Sequence, residues 1–380
     1  MRTRHLVIGA SAIASLAIAG FGAWLLTLPA APSAVAAPAV PQGEMDAMLA
    51  SLRPRKGQRP LITIIGINDA TETTDYLMTA GILRRANVAD VAMLATNSGP
   101  VQLFPALKIQ PDATVAQFDA AHPEGADYVI VPAMSRDNDP SVLAWLRSQS
   151  KKGGTIIAVC AGAKVAAAAG LLDGKRATTH WYYLKEMLGR HPAIRYVPNR
   201  RIVVDRRIAT TTGITASMPM MLTLIEAIAG RSKAEAVAED LGVASWDARH
   251  ASQRFTFTRP FASTVLANTL AFWNRDEFGI EIQQGVDEVS LALVADAWSR
   301  TYRSKALTVA LSDVVKTRGG IQLLPDRISA DLPEQRVSVF PAQRPAEALD
   351  RTLQTIASRY GEPTANVVAM QLEYPGHPAR

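Results

Sequence analysis

The one cysteine of the chain, Cys160, stands in the segment Thr155-Ile-Ile-Ala-Val-Cys160-Ala-Gly-Ala-Lys164. An apolar, strand-like run ends at the sulfur, two small residues follow, and a helical pattern begins at once. This is the pattern of a nucleophile elbow with cysteine in place of serine. Small neighbours let the turn be tight and bring backbone close to a substrate. The N-terminus of the next helix favours a thiolate by roughly 0.3–1 kcal/mol, so the thiol is expected to titrate below its ordinary value of about 8.5. The Ala161 amide would face a developing oxyanion. The same spacing also suits an inert core cysteine, since free cysteines are among the most buried residues. A lone cysteine excludes an intramolecular disulfide. His122, His191 and His250 lack ligand-like spacing, so neither a metal site nor a cofactor is expected.

Elements that position such an elbow are legible around it. Short apolar runs without strict alternation (Leu61–Ile67, Asp90–Ala95, Val101–Phe104, Tyr128–Val131, Thr155–Val159) read as strands, several buried on both faces. Asp75–Arg85, Pro140–Ser150, Ala163–Ala169 and Pro219–Ala229 read as helices, and Ile202–Val204 with Ile208–Thr212 as a hairpin. Alternation at short intervals predicts an α/β fold, a mostly parallel sheet with helices on both faces.

Two further motifs extend the elbow. Ala158-Val-Cys-Ala-Gly162, followed by Gly170-Leu-Leu-Asp-Gly-Lys-Arg-Ala-Thr-Thr-His-Trp181, resembles the ThiJ/PfpI superfamily, and within it the amidase-like domains of AraC-type transcription regulators. The resemblance covers about residues 60–245. It implies a flavodoxin-like, class I glutamine amidotransferase-like fold with Cys160 as nucleophile. It also implies that Asp75, in Thr71-Glu-Thr-Thr-Asp-Tyr-Leu, contacts and tunes the thiol, and that His180 lies near the sulfur. The family's second oxyanion donor comes from a Gly-Gly pair; here that place is Val131-Pro-Ala-Met134, which leaves the Ala133 amide for the role. From the residues alone Asp75 also suits a first-turn helix carboxylate, His180 a structural histidine, and Glu72 a capping box with Asp69.

Arg2, Arg4 and His5 precede an uncharged stretch, Leu6–Leu28, long enough for a membrane helix. Residues 1–28 therefore read as an anchor or a long signal peptide, with everything after them placed outside the cytoplasm, in the periplasm or secreted. Residues 29–59, rich in Pro and Ala and then basic, read as a linker, in which the short piece Gly43–Leu52 fits a helical turn or two. Residues 60–245 form the main domain and 246–285 a helical connector, with a helix expected over Arg259–Asp276. Residues 286–380 read as a truncated α/β repeat without a nucleophile: Val289–Leu293 echoes Leu61–Ile65, Ile321–Pro325 echoes Val101–Pro105, Arg336–Ala342 echoes Asp127–Ala133, and Asn366–Gln371 echoes Thr155–Cys160.

Of the 380 residues 48% are hydrophobic, which excludes a disordered chain, and the net charge of +6 is scattered rather than clustered, so no nucleic-acid partner is expected. A small molecule and the membrane remain as partners, with self-association into a homodimer left open. Two functions compete. One is a cysteine-dependent enzyme acting on a small electrophile, for which the resemblance implies isonitrile hydration, cofactor-free conversion of a 2-oxoaldehyde, or amide hydrolysis. The other is a ligand- or redox-sensing module related to the sensor domains of AraC-type regulators.

Overall fold

The computed structural model describes residues 19–30, 35–54, 59–330 and 334–375. Chain order begins with α1 (Gln42–Leu52), β1 (Leu61–Gly66) and β2 (Asp69–Glu72). A π-helical turn, Thr74–Met78, runs into α2 (Thr79–Ala86), followed by β3 (Asp90–Ala95), β4 (Val101–Phe104), β5 (Lys108–Gln110) and β6 (Ala113–Thr114). Then come α3 (Val115–Ala121), β7 (Tyr128–Val131), α4 (Pro140–Lys152), β8 (Thr155–Ala158), α5 (Gly162–Ala168), β9 (Arg176–Ala177), α6 (Trp181–Arg190), β10 (Arg195–Tyr196), β11 (Ile202–Asp205) and β12 (Ile208–Thr211). The remainder is α7 (Ser217–Ala229), α8 (Arg231–Leu241), α9 (Arg259–Leu270), β13 (Asp276–Glu281), α10 (Glu288–Ser299), β14 (Ser304–Ala310), β15 (Val315–Lys316), β16 (Gln322–Leu323), β17 (Arg327–Ile328), α11 (Pro345–Tyr360) and α12 (Glu362–Gln371).

A seven-stranded sheet runs β11-β12-β8-β7-β1-β3-β6, parallel except for β11 at its edge. Strand residues alternate between two cores. Ile62, Ile64, Ile157 and Val159 enter the one shared with α1, α7 and the C-terminal elements; Ile65, Ile156, Ala158 and Val131 enter the one under α4–α6. Burial on both faces is why these strands lack polar alternation. Strand order reverses between β1 and β7, and in such sheets ligand chemistry gathers beyond the carboxyl ends of the strands. Cys160 follows β8 and Ala133 follows β7 at that end.

Several sequence expectations are corrected. Residues 42–52 are no free tether. Leu52 is fully buried, Tyr128 donates its hydroxyl to the Leu52 carbonyl at 2.6 Å, and Arg200 grips both Glu44 oxygens at 3.0 Å. Only 19–28 of the uncharged N-terminal stretch lies among the described residues, with a helix over 19–27, and no described helix is long and apolar enough to cross a membrane. The helix after residue 259 ends at Leu270, not Asp276, because Asp276 opens β13.

In the C-terminal unit Val289–Leu293 and Asn366–Gln371, expected as strands, are helical, and Arg336–Ala342 makes only a bridge from Arg336 to Gly279. The signals were local. Asp287 caps the Val289 and Ser290 amides, and its apolar run continues to Trp298, too long for a buried strand. Pro363 at the start of α12 favours a helix likewise. The unit is nonetheless α/β: β13, β14 and β17 form a parallel sheet, and β16 joins β15, β5, β4 and β2 in a separate, mostly antiparallel sheet.

Candidate functional site

Cys160 has φ 54°, a left-handed conformation uncommon for a residue with a side chain. The turn is fixed from three sides: the Cys160 amide donates to Thr211 Oγ1 at 3.0 Å, Thr179 Oγ1 donates to the Cys160 carbonyl at 3.0 Å, and Gly162 lies against β7. A Cβ on Gly162 would sit 1.9 Å from the Val131 carbonyl oxygen, so only glycine lets α5 start there. The elbow expected from sequence is therefore present.

Its surroundings differ from expectation. Cys160 is only 3% exposed. Burial pushes the thiol well above its ordinary range, and the charges of Asp75 and Glu72 push the same way; the Ala161 amide opposes and is outweighed. The expectation of a lowered pKa is thus reversed, because helix-terminus stabilisation is small beside desolvation.

Asp75 is wholly buried near the sulfur but hydrogen-bonded elsewhere. Its Oδ2 accepts the Ala133 amide at 3.0 Å and its Oδ1 the Ser217 hydroxyl at 3.3 Å. Ala133, the second oxyanion candidate, therefore spends its amide on a carboxylate. Burial, then the neighbouring Glu72, raises the Asp75 pKa well above the carboxylate range. Glu72 forms no capping box with Asp69, which pairs with Arg136. Its Oε2 accepts the Asp75 amide at 2.6 Å and the Thr74 hydroxyl at 2.8 Å, and its Oε1 accepts Arg300 Nη2 at 2.8 Å. Arg300, which also holds Asp296 at 2.6 Å, comes from the far end of the chain.

Both ring nitrogens of His180 are engaged by backbone. Its Nδ1 accepts the Tyr182 amide at 3.2 Å, so its Nε2 carries the proton and donates to the Gln371 carbonyl at 2.9 Å. Burial lowers its pKa to about 4, so the ring is neutral. The residues after α12 close over this histidine. Trp181 Nε1 donates to the Met370 carbonyl at 2.9 Å, and Glu373 receives the Trp181 amide at 2.6 Å and the Gly213 amide at 2.7 Å. The Thr215 amide donates to the Leu372 carbonyl at 3.0 Å, and Thr215 Oγ1 to the Glu373 carbonyl at 2.9 Å. Burial raises the Glu373 pKa to about 7 despite its two amide donors. Gly213 makes room for this cap, since a Cβ there would lie 2.7 Å from both Glu373 and His180 atoms.

The structure brings Cys160, Asp75 and the Ala161 amide together, and it gives the His180 ring the Gln371 carbonyl as a partner. Sequence reasoning set Glu72 aside and missed Arg300, Glu373 and Tyr183, whose hydroxyl is raised by burial and by proximity to Cys160. Arg300 and Glu373 are distant in sequence and carry no local signature. No group of three or more His, Cys, Asp or Glu residues among the described residues could hold a metal.

Residues 62–227 match the profile of the DJ-1/PfpI family. This part of the chain is a DJ-1/PfpI family domain. It is 40% identical over 100 residues to isonitrile hydratase of Pseudomonas putida, covering 26% of this chain and 42% of that one. It is 28% identical over 179 residues to protein dj-1beta of Drosophila melanogaster (46% of this chain, 92% of that one), and 35% identical over 136 residues to the HTH-type transcriptional regulator GbdR of Pseudomonas aeruginosa (35% of each). The chain thus spans less than half the length of two of these relatives. The crystal structure of Drosophila melanogaster DJ-1beta aligns with a TM-score of 0.45 at 28% identity, covering 50% of this chain and all of that one.

Proposed function

We propose that the chain is a ligand-sensing module on a DJ-1/PfpI domain, in which the cysteine site rests closed under the chain's own C-terminus. The observation that carries this reading is the cap. Residues 370–373 occupy both backbone and side-chain partners of the His180–Trp181 turn, while Cys160 is buried and that burial pushes its thiol up. A protonated, enclosed thiol is a poor nucleophile and a poor peroxide sensor, which favours a ligand over an oxidant as the signal.

A cavity of about 300 Å³ lies against α12, the helix that ends in the cap. Phe255, Phe261, Val367 and Met370 give it apolar walls, and Arg254 and Asn366 add polar groups with no side-chain partner among the described residues. Apolar walls with a few convergent polar groups mark a small-molecule site. An unpaired guanidinium selects an apolar carboxylate. A ligand seated there presses on the helix whose last turn shuts the cysteine site. Calorimetry of the full chain with 4-phenylbutyrate and octanoate tests this. Saturable one-site binding, weakened at least tenfold by Arg254→Leu, is expected; no binding, or binding indifferent to Arg254, overturns it.

A second reading is a cysteine-dependent enzyme acting on a small electrophile once the cap opens. The strained Cys160 backbone and the glycine-only contact at Gly162 favour it. In that case Cys160 would attack, Asp75 would manage the thiol proton, and His180, released from Gln371, would assist proton transfer. Isonitrile turnover by the full chain that disappears in Cys160→Ala would favour this reading over the first. The uncharged N-terminal stretch supports a membrane-tethered, extracytoplasmic placement. Labelling of surface residues in intact cells tests it, and a main domain reachable only from the cytoplasm would contradict it.

A further inference from the structure

The C-terminal strands repeat the first half-sheet in a register that the sequence echoes did not find. β1, β3 and β6 lie side by side and parallel; so do β13, β14 and β17. The pairs Leu94–Ala113 and Ala95–Thr114 of the first set reappear as Val309–Arg327 and Ala310–Ile328. Hairpin β4–β5, with Val101 opposite Ile109 and Gln102 opposite Lys108, reappears as β15–β16, with Val315 opposite Leu323 and Lys316 opposite Gln322. Within the turns, the Leu103 amide donates to the Leu107 carbonyl at 2.9 Å, and the Thr317 amide to the Ile321 carbonyl at 2.9 Å.

Both hairpins end in Pro-Asp. Asp112 Oδ2 accepts the Met93 amide of β3 at 2.7 Å, and Asp326 Oδ2 accepts the Thr308 amide of β14 at 2.8 Å. A buried carboxylate opens the helix in each set: Asp75 in the first, Glu288 in the second. Glu288 has one oxygen on the Gly319 amide and the other unpaired, in a unit that holds no cysteine. Shared topology could arise by chance among α/β folds. The same turn bond, the same carboxylate clamp and the same strand registers together do not.

The two sets also meet as a pair related by a two-fold axis. β16 runs antiparallel to β5 with Leu323 opposite Ile109. By hairpin register Leu323 is the counterpart of Ile109, so at this point a residue faces its own equivalent. Gln322 opposes Gln110, and the Leu324 amide donates to the Lys108 carbonyl at 2.8 Å, which are again exchanged equivalents. Self-complementary contact of this kind belongs to a two-fold interface between copies. α10 packs on the π-helical turn Thr74–Met78 across the same interface, and Arg300, just beyond α10, supplies the guanidinium that pairs Glu72 in the cysteine site.

We infer that residues 276–328 are a second copy of the 61–114 half-unit, docked on the first about a two-fold axis. The chain therefore carries its own partner, and the β5 edge and the Thr74–Ala86 face are not open to a second chain. The cysteine site is complete in a single chain, because Arg300 arrives in cis.

Oxidation of a Gln110→Cys/Gln322→Cys chain in a Cys160→Ala background tests this, since the two positions are direct antiparallel partners within disulfide reach. The expected product is a disulfide within one chain, with the mass of a single polypeptide on a non-reducing gel. A disulfide between two chains, or no disulfide under oxidant, overturns the inference. Should the substituted chain not fold, light scattering of the unmodified full chain in mild detergent decides the same point. One chain per particle is expected, and two overturn the inference.

Discussion

Two half-sheets of similar build lie side by side in this molecule, and only one faces a nucleophile. In the first, the carboxylate that opens the helix, Asp75, lies by Cys160 and bonds to Ala133 and Ser217. In the second, Glu288 accepts the Gly319 amide and lies against the flank of Gly81. The difference lies in the elements downstream of each half. β7, β8 and the elbow complete the first, whereas α11 and α12 come after the second. The half-sheet is a scaffold that places an acid; the chemistry depends on the strand–turn–helix that comes after it.

Removing the one contact peculiar to the complete half should have the largest effect. Gly162→Ala would drive a methyl into the Val131 carbonyl oxygen, against rigid backbone. A loss of at least 4 kcal/mol is expected, of the order of severe overpacking and backbone strain, seen as insoluble protein or a Tm lower by ten degrees or more. Gly81→Ala in the scaffold meets only the Glu288 side chain and should cost about 1–2 kcal/mol.

Next in size is the link between the halves. Arg300→Met leaves Glu72 and Asp296 buried without their cation and should cost about 3–5 kcal/mol, read by denaturant unfolding. A loss below 1 kcal/mol would mean that the second half does not support the first.

Much of the first half was legible in sequence, and for a physical reason. Its strands, the Cys160 elbow and the helix after Gly162 are specified by contiguous residues. The second half was misread where apolar runs of similar composition fit either a strand or a buried helix, as at Val289–Leu293. The cap and Arg300 were invisible because residues that touch the site through backbone carbonyls, or from a great sequence distance, leave no local pattern. The lowered thiol pKa was misjudged because the helix terminus was visible in sequence and the burial was not.

The cap should respond to pH, and the scaffold should not. His180 and His250 are depressed from 6.5 to about 4 by burial, and His250 Nε2 lies 3.8 Å from Glu373. A depressed basic group contributes stability that is present above its unfolded pKa and lost as pH falls through the folded one, so the histidines loosen the cap between about 6.5 and 4. Glu373, raised from 4.5 to about 7, acts oppositely; its contribution is present below 4.5 and lost as pH rises through 7. Two histidines against one carboxylate predict net opening on acidification below about 6.5. Hydrogen-exchange protection factors of residues 370–374 against pH check this, with the protection factors of β13 and β14 as the unchanging control.

A smaller effect separates the two acids. Asp75→Asn removes a charge that raises the thiol and should shift the pH profile of Cys160 alkylation to lower pH, while Glu288→Gln should leave it unmoved. Equal shifts from both substitutions would erase the distinction between the two halves.

The most direct measurement is the rate at which iodoacetamide alkylates Cys160 in the folded full chain, with and without Glu373→Lys. That substitution replaces a buried acceptor of two amide bonds by a cationic donor that cannot accept them and should displace the cap. A closed, protonated thiol predicts alkylation at least a hundredfold slower than an exposed cysteine at pH 7.5, rising tenfold or more in Glu373→Lys. Alkylation of the unmodified chain at the rate of a free thiol, or no acceleration in the variant, would contradict a cysteine site held shut by its own C-terminus.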